Sequence, residues 1–203
     1  MSIDIKISKR PIPYKYAINF LQKRVENIKI GKTNELLWIL EHPTTYTAGI
    51  RSQANEILDN KIKIIPTNRG GKITVHNPGQ KIIYFVLDLN RRKKNIRKLI
   101  TILEKSIIEF LKFYELNSLA DRNNIGIWVD EKKIAAIGIK VSRWIAYHGC
   151  SININNDLTK YLKIIPCGLE NNKITSLVME TGKIPRNINN KLVEIFSKNI
   201  KKI

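Results

Sequence analysis

The chain has 203 residues and a formal net charge of +19, from 36 lysines and arginines against 17 aspartates and glutamates. Its hydrophobic content of 43% is typical of a globular protein and excludes the disordered and fibrous classes. No apolar run approaches the length that spans a bilayer, and the first residues lack a secretory signal. We therefore expect one domain over residues 1–203, located in the cytoplasm and without a membrane partner.

Charge and cysteine content narrow the possible partners and the redox setting. The positive charge is spread along the chain and would attract nucleic acid, a membrane surface or an acidic protein. The two cysteines, Cys150 and Cys167, are too few for a disulfide framework or a cysteine-based zinc site. Both are expected to be free thiols, and an isolated cysteine is most often a small buried apolar residue.

The first third of the chain predicts strands around one helix. Alternation predicts a strand over Ile3–Ser8, and apolar residues at helical spacing predict a helix over Tyr14–Ile30. Glu35–Leu40 is continuously apolar after its first residue and is typical of a buried strand. Thr44–Ser52 is predicted to be a loop, and Ile62–Ile65 another short strand.

The stretch Arg69–Gln80 reads Arg-Gly-Gly-Lys-Ile-Thr-Val-His-Asn-Pro-Gly-Gln. Paired glycines permit positive φ and a close approach of another backbone, and Lys72–His76 has the period of a strand. The stretch predicts a turn, a short strand and a second turn that gather a cation, amides, a hydroxyl and an imidazole around one hollow. An ordinary hairpin with a tight Gly-Gly turn is the alternative that local composition leaves open.

The second half predicts a sheet completed by helices. Strands are predicted over Lys81–Leu89, Ile125–Val129, Lys133–Val141 and Arg143–Ile154. Helices are predicted over Asn95–Asn117, over Asp157–Lys163 with Asp157 as the cap, and over Asn187–Ile200. Because strands and helices do not alternate regularly, we expect an α+β domain with a mixed sheet.

Candidate chemistry centres on a thiol in a turn. The chain contains no Gly-x-Ser-x-Gly, Walker A or Gly-x-Gly-x-x-Gly motif, and its three histidines do not show a metal-site spacing. Cys167 lies in a Pro-Cys-Gly turn, where Gly168 lets a substrate come close. A nearby ammonium would lower the pKa of such a thiol, because the thiolate is the reactive form.

Lys133 opens the strand Lys-Ile-Ala-Ala-Ile-Gly, whose small residues leave room for a ligand or for another backbone. The lysine is either an edge residue facing water or a partly buried cation that needs a partner. The residues alone favour the solvated lysine.

Several blocks, in order from about residue 14 to residue 180, closely resemble the lipoyl(octanoyl) transferase family. They are Glu41-His-Pro with Tyr46-Thr-Ala-Gly49, Arg69–Gln80, Lys133-Ile-Ala-Ala-Ile-Gly138, His148-Gly149 with Asn153, and Pro166-Cys-Gly-Leu169 followed by Thr175-Ser-Leu. The chain departs from the family pattern at Asn68, Ile50, Cys150 and Ser151. These departures concern the shape of the pocket, and the Cys150 position is interpreted as structural.

The resemblance implies a mixed β-sheet flanked by helices, the fold of lipoate and biotin protein ligases, class II aminoacyl-tRNA synthetase-like. It implies an acyltransferase without a cofactor or metal, in which Cys167 carries an acyl thioester and Lys133 lowers the pKa of that thiol. It places the acyl pocket at Arg69, Gly70, Gly71, Lys72, Ile73, Thr74, Val75, His76, Ala136, Ile137, Gly138, Gly149, Cys150 and Ser151. The backbone amides of Gly70–Gly71 or of Gly168 are the candidates for binding the oxyanion.

The partners that the resemblance implies are octanoyl-acyl carrier protein as donor and lipoyl domains as acceptors. The acceptors would be the lipoyl domains of 2-oxoacid dehydrogenase subunits and the glycine cleavage H protein. A lipoate ligase that uses ATP is the alternative within the fold, but the longer glycine run of that family is absent. A nucleic-acid-binding module would suit the charge, yet no motif that reads DNA or RNA is present and no nucleic-acid partner is expected.

Overall fold

The computed structural model describes residues 2–121, 124–166 and 173–203. Strands β1 to β10 cover Ile3–Ile7, Glu35–Leu40, Thr45–Ala48, Ile64–Pro66, Ile73–His76, Gln80–Asp88, Leu119–Ala120, Ile127–Val129, Lys132–Ser142 and Ile145–Asn153. Helices α1 to α4 cover Tyr14–Lys29, Ile96–Phe113, Leu177–Thr181 and Ile188–Ile200. Short 3-10 helices cover Ala54–Glu56, Leu89–Arg91 and Leu158–Lys163.

Two sheets organise the molecule. The large sheet has seven strands in the order β1-β2-β6-β10-β9-β8-β7, and the small sheet has three in the order β4-β3-β5. In the large sheet β1 runs parallel to β2, whereas β6, β10, β9, β8 and β7 join it through antiparallel pairs. The small sheet is also mixed, since β3 is parallel to β4 and antiparallel to β5. The mixed sheet expected from the sequence is therefore confirmed.

Both faces of the large sheet are covered by helices. Side chains alternate along a strand, so Ile83, Phe85 and Leu87 of β6 share one face and pack with α2 and α4. Tyr84 and Val86 share the other face and pack with the apolar side of α1. Central strands that are buried on both faces need apolar residues at every position, which explains the continuous apolar run of β2.

Helix ends follow local hydrogen bonding. Helix α2 begins after Asn95, whose side-chain oxygen accepts a hydrogen bond from the Lys98 amide (2.9 Å). It ends at Phe113, earlier than predicted, because Glu115 adopts φ 62° and the Leu116 amide bonds back to the Leu111 carbonyl (3.1 Å). The Asp157 cap is confirmed, with its Oδ1 accepting from the Thr159 amide (3.0 Å).

Two local predictions are wrong. Thr44–Ser52 is not wholly a loop, because β3 forms within it as the central strand of the small sheet. The hairpin alternative for the Gly-Gly turn also fails, because β4 and β5 each pair with β3 and not with one another. Residues 69–72 instead lie along residues 49–51, with the Arg51 amide donating to the Gly71 carbonyl (3.1 Å). Helix α3 and the two-residue strand β7 were not predicted.

In the three described ranges, every helix falls short of the length and apolar character that crossing a membrane requires.

Candidate active site

A cavity of about 410 Å³ opens between the 69–72 loop, β5 of the small sheet and strands β6, β9 and β10 of the large sheet. Most of the predicted pocket residues line it: Arg69, Gly70, Gly71, Lys72, Thr74, His76, Ala136, Ile137, Gly138, Gly149, Cys150 and Ser151. Lys133 also lines the cavity, together with Tyr84 and His148, which the predicted set did not contain. Two stretches far apart in sequence, within residues 69–84 and 124–151, thus enclose most of one space.

The alternation predicted for β5 decides which of its residues reach the cavity. Thr74 and His76 line it, as a shared face requires. Ile73 and Val75 are 1% and 0% exposed and pack with Tyr46 in a separate apolar cluster. These two predicted pocket residues therefore support the strand from behind and do not form the cavity wall.

Lys133 is buried, which corrects the interpretation as a solvated lysine. Only 6% of its surface is exposed. Its Nζ donates to the Ile125 carbonyl at 2.9 Å and lies 5.5 Å from the centre of the Trp128 ring. Gly126 makes room for it, because a Cβ there would lie 2.3 Å from the lysine Cε. The backbone on both sides of Lys133 is covered, which the sequence could not reveal.

The predicted nucleophile Cys167 and its neighbour Gly168 lie outside the described residues. The chain before and after them is described and runs beside Lys133. Pro166 and Ile174 line a small space of about 20 Å³ together with Lys133. The Lys133 amide donates to the Lys173 carbonyl (2.7 Å), and its carbonyl accepts from the Thr175 amide (3.0 Å). The chain that follows Cys167 is thus hydrogen-bonded to Lys133, and Pro166 before it lines the same small space as Lys133.

The Gly-Gly loop is fixed against both sheets. The Gly70 amide donates to the Ile139 carbonyl (3.0 Å), so it is already bonded and does not suit the predicted oxyanion role. A Cβ on Gly138 would lie 3.2 Å from the Gly70 carbonyl oxygen, so the small residues of β9 admit another backbone as well as the cavity. Arg69 holds the loop to β3 through its Nη2, which donates to the carbonyl and Oγ1 of Thr47 (3.0 and 2.8 Å).

Sequence reasoning missed that the three histidines cluster with buried tyrosines beside the cavity. His42 Nδ1 donates to the Ile12 carbonyl (2.6 Å), which leaves Nε2 to accept from the Tyr84 hydroxyl (3.0 Å). The ring centres of His42 and His76 lie 5.7 Å apart. Burial lowers the pKa of His42 to about 4 and the pKa values of His76 and His148 to about 3. All three rings are neutral near pH 7.

Nowhere in residues 2–121, 124–166 and 173–203 do three or more histidine, cysteine, aspartate or glutamate side chains form a group that could hold a metal ion.

His148 reaches the cavity through an unusual backbone. It has φ 69° within β10, and its ring stacks on Tyr147 with 4.8 Å between centres. Its Nε2 donates to Asn68 Oδ1 (2.8 Å), at one of the positions that depart from the family pattern. Gly149 is required next to it, because a Cβ there would lie 1.9 Å from the Ile83 carbonyl oxygen. The glycine within a predicted strand was the available signal for this feature.

Cys150 differs from an activated thiol. It is 4% exposed, and burial raises the pKa of its thiol far above the ordinary value. The protonated, buried form agrees with the structural interpretation drawn from the sequence.

Comparisons with known proteins assign the family. Residues 13–196 match the model of the lipoyl protein ligase A/B catalytic domain. An octanoyltransferase of Ehrlichia chaffeensis is 45% identical over 181 residues, covering 86% of this chain and 85% of the relative. An octanoyltransferase of Bartonella bacilliformis is 42% identical over 190 residues, covering 87% and 79%.

Solved structures agree on the fold. A putative lipoate protein ligase of T. acidophilum with bound lipoic acid superposes with a TM-score of 0.78 at 15% identity, covering 99% of this chain and 87% of that one. A biotin protein ligase of Aquifex aeolicus gives 0.56 at 18% identity, covering 98% and 70%. The fold implied by the resemblance is confirmed. With this fold and these relatives, the chain belongs to the lipoyl protein ligase A/B catalytic-domain family, as an acyltransferase of the octanoyltransferase group.

Proposed function

We propose that this protein transfers an octanoyl group from octanoyl-acyl carrier protein to a lysine of a lipoyl domain, through a thioester on Cys167. The observation that carries the proposal is the buried Lys133, which lines the cavity and is bonded through its backbone to Lys173 and Thr175. Cys167 lies in the segment that these contacts and Pro166 bracket. The relatives named octanoyltransferase support the identity of the acyl group.

In the first half-reaction, the Cys167 thiolate attacks the carbonyl carbon of the donor thioester. The bond from that carbon to the donor sulfur breaks, and Lys133 gives a proton to the departing thiolate. An ammonium has three N–H donors, and one of those of Lys133 is directed to the Ile125 carbonyl. The remaining donors and the positive charge favour a thiolate at a neighbouring position.

In the second half-reaction, the amine of the acceptor lysine attacks the Cys167 thioester. The carbon–sulfur bond breaks as the amide forms, and neutral Lys133 takes the proton that the attacking nitrogen loses. The Cys167 sulfur leaves as a thiolate beside the protonated Lys133, so the ion pair is restored without another proton transfer. Donor thioester and amine are thus converted into amide and free thiol, with no other reactant.

The cavity suits an apolar chain. Its walls include Ile82, Ala136 and Ile137, and burying each methylene is worth about 0.8 kcal/mol. The histidines beside it are uncharged, because burial lowers their pKa values. An acyl chain in this space would meet these neutral rings and aliphatic side chains, next to the charged groups of Arg69, Lys72 and Lys133 that also line the cavity.

The partners we propose are acidic, and the net charge of +19 would speed their encounter with this protein. Acceptors would be the lipoyl domains of 2-oxoacid dehydrogenase subunits and the glycine cleavage H protein, in the cytoplasm.

The test is the intact mass of the protein after mixing with octanoyl-loaded carrier protein, followed by mapping of the adduct. We expect one octanoyl group on Cys167, lost when a lipoyl domain is added. Cys150→Ser keeps the sulfur at position 167 and must still gain the group, whereas Cys167→Ser must not. Octanoylation of the acceptor that requires ATP and free octanoate would instead support the lipoate ligase alternative.

A further inference from the structure

A buried chain of side-chain amides connects the cavity wall to the segment that pairs with Lys133. Gln80 and Asn153 are 1% and 5% exposed. Gln80 Oε1 lies 2.6 Å from Nδ1 of His76, which lines the cavity. Gln80 Nε2 donates to Asn153 Oδ1 (2.9 Å), and Asn153 Nδ2 donates to the Thr175 carbonyl (2.9 Å).

The donor and the acceptor of each hydrogen bond in this series of amides follow from the group at its Thr175 end. The Thr175 carbonyl can only accept, so Asn153 must present its NH₂ to it and its oxygen to Gln80. Gln80 must then present its NH₂ to Asn153, which agrees with the Val75 carbonyl that this group also faces, at 3.4 Å. Gln80 Oε1 is left to accept from His76, so the proton of that ring is on Nδ1 and its Nε2 is an acceptor.

The same amides reach the chain on both sides of residues 167–172. On the preceding side, Gln80 Nε2 donates to the hydroxyl of Tyr161 (2.9 Å), which is 5% exposed. On the following side, Asn153 holds Thr175, whose amide donates to the Lys133 carbonyl (3.0 Å). Gln80 therefore links the cavity wall, the chain before the nucleophile segment and the chain after it.

We propose that Gln80 and Asn153 are positioning residues, which hold the backbone at Lys133 and Thr175 in a fixed relation to the cavity wall at His76. The inference rests on the proposed function, because this positioning would serve to align the acyl chain with the nucleophile and with Lys133. Neither amide acts on the reacting atoms itself. Each acts through the backbone that it holds.

Asn156 provides a matched control. It is also 5% exposed and is bonded through its Nδ2 to another buried amide, the Asn77 oxygen (3.2 Å). Within the described residues, the Asn156 side chain makes no hydrogen bond to Gln80 or Thr175. Asn153→Ser and Asn156→Ser thus remove comparable buried amides. Asn153 belongs to the series of amides that joins His76 to Thr175, and Asn156 does not.

The experiment combines hydrogen exchange with kinetics. For Asn153→Ser we expect the Thr175 amide to exchange about tenfold faster, the loss of roughly one buried hydrogen bond. We expect kcat for octanoyl transfer to fall by a similar factor, about tenfold, with the KM for the donor changed by less than about twofold. Asn156→Ser should leave the exchange and kcat as in the natural protein, whatever its effect on the melting temperature.

Gln80→Glu tests the same series of hydrogen bonds at its central residue, with a side chain of nearly the same size. A carboxylate cannot donate to Asn153, so Asn153 must turn its amide and release Thr175. We expect the same fast exchange at Thr175, and the double variant with Asn153→Ser to be no worse than the single variants. This variant replaces Asn153→Ser as the test if the latter does not fold.

The inference is overturned if the Thr175 amide exchanges at its natural rate in both variants, or if Asn156→Ser lowers kcat equally. These outcomes are separate from the fate of the proposed function. If Cys167→Ser kept full turnover, the thioester would be wrong while the exchange result at Thr175 would stand unchanged.

Discussion

Replacing Gly149 by alanine should damage both stability and the cavity. A Cβ at this position would lie 1.9 Å from the Ile83 carbonyl oxygen and 3.0 Å from the carbonyl carbon. These atoms belong to the paired backbone of β6, so no side chain can rotate away to relieve the contact. Forcing atoms into a packed interior costs about 1–3 kcal/mol. Separating the strands adds a lost hydrogen bond of about 1 kcal/mol.

We therefore expect Gly149→Ala to lower the free energy of unfolding by about 3 kcal/mol, measured by urea denaturation. For a chain of this length that corresponds to a decrease in Tm of roughly 6–12 °C. Octanoyl transfer should fall as well at temperatures where the variant is folded, because the shift moves His148 at the cavity wall.

Gly182→Ala is the matched control, since that glycine has φ 65° but has no atom within 4 Å of an added Cβ. It isolates the cost of backbone strain, about 1 kcal/mol. A Gly149→Ala variant no less stable than Gly182→Ala would refute the collision on which this reasoning depends.

Three further predictions concern the site. Cys167→Ser should abolish octanoyl transfer at an unchanged Tm, because the change is nearly isosteric; normal turnover with octanoyl-loaded carrier protein would contradict it. Lys133→Ala should slow alkylation of the Cys167 thiol by iodoacetamide near neutral pH, since the proposed ion pair loses its cation; an unchanged rate would exclude Lys133 from the mechanism. The free energy of unfolding should decrease as pH falls from about 6.5 towards 4, by up to about 1.4 kcal/mol per pH unit for each of His42, His76 and His148. These residues have lowered pKa values in the fold, so the unfolded chain binds protons first, and the stability they contribute is present above pH 6.5. Urea titrations at pH 7 and pH 5 that give equal stability would show that these rings are not buried in the neutral form.

The elements that the sequence predicted well are those whose pattern is local. Glu35–Leu40 was predicted with its observed ends, because a short run of apolar residues is typical of a strand buried on both faces. The long apolar stripe of α2 likewise specified a helix, although its last turn depended on the backbone of Glu115. Periodicity in β5 separated Thr74 and His76, which line the cavity, from their buried neighbours.

What the sequence could not provide depends on contacts between distant segments. Strand β3 has an unremarkable composition and exists because β4 and β5 pair with its two edges. Lys133 resembles a solvated lysine until β8 and residues 173–175 cover it. The three histidines are separated by 34 and 72 residues, so only the folded sheets bring them to one cluster.

The cavity is enclosed by two sheets that are not continuous with one another. Its roof comes from β5 and the Arg69–Lys72 loop, whereas its floor comes from β6, β9 and β10. The Gly70 amide bonds across this seam to the Ile139 carbonyl, with Gly138 admitting the contact. Substitutions confined to the small sheet can thus change the width of the cavity, while the large sheet, whose two faces are covered by helices, keeps its packing.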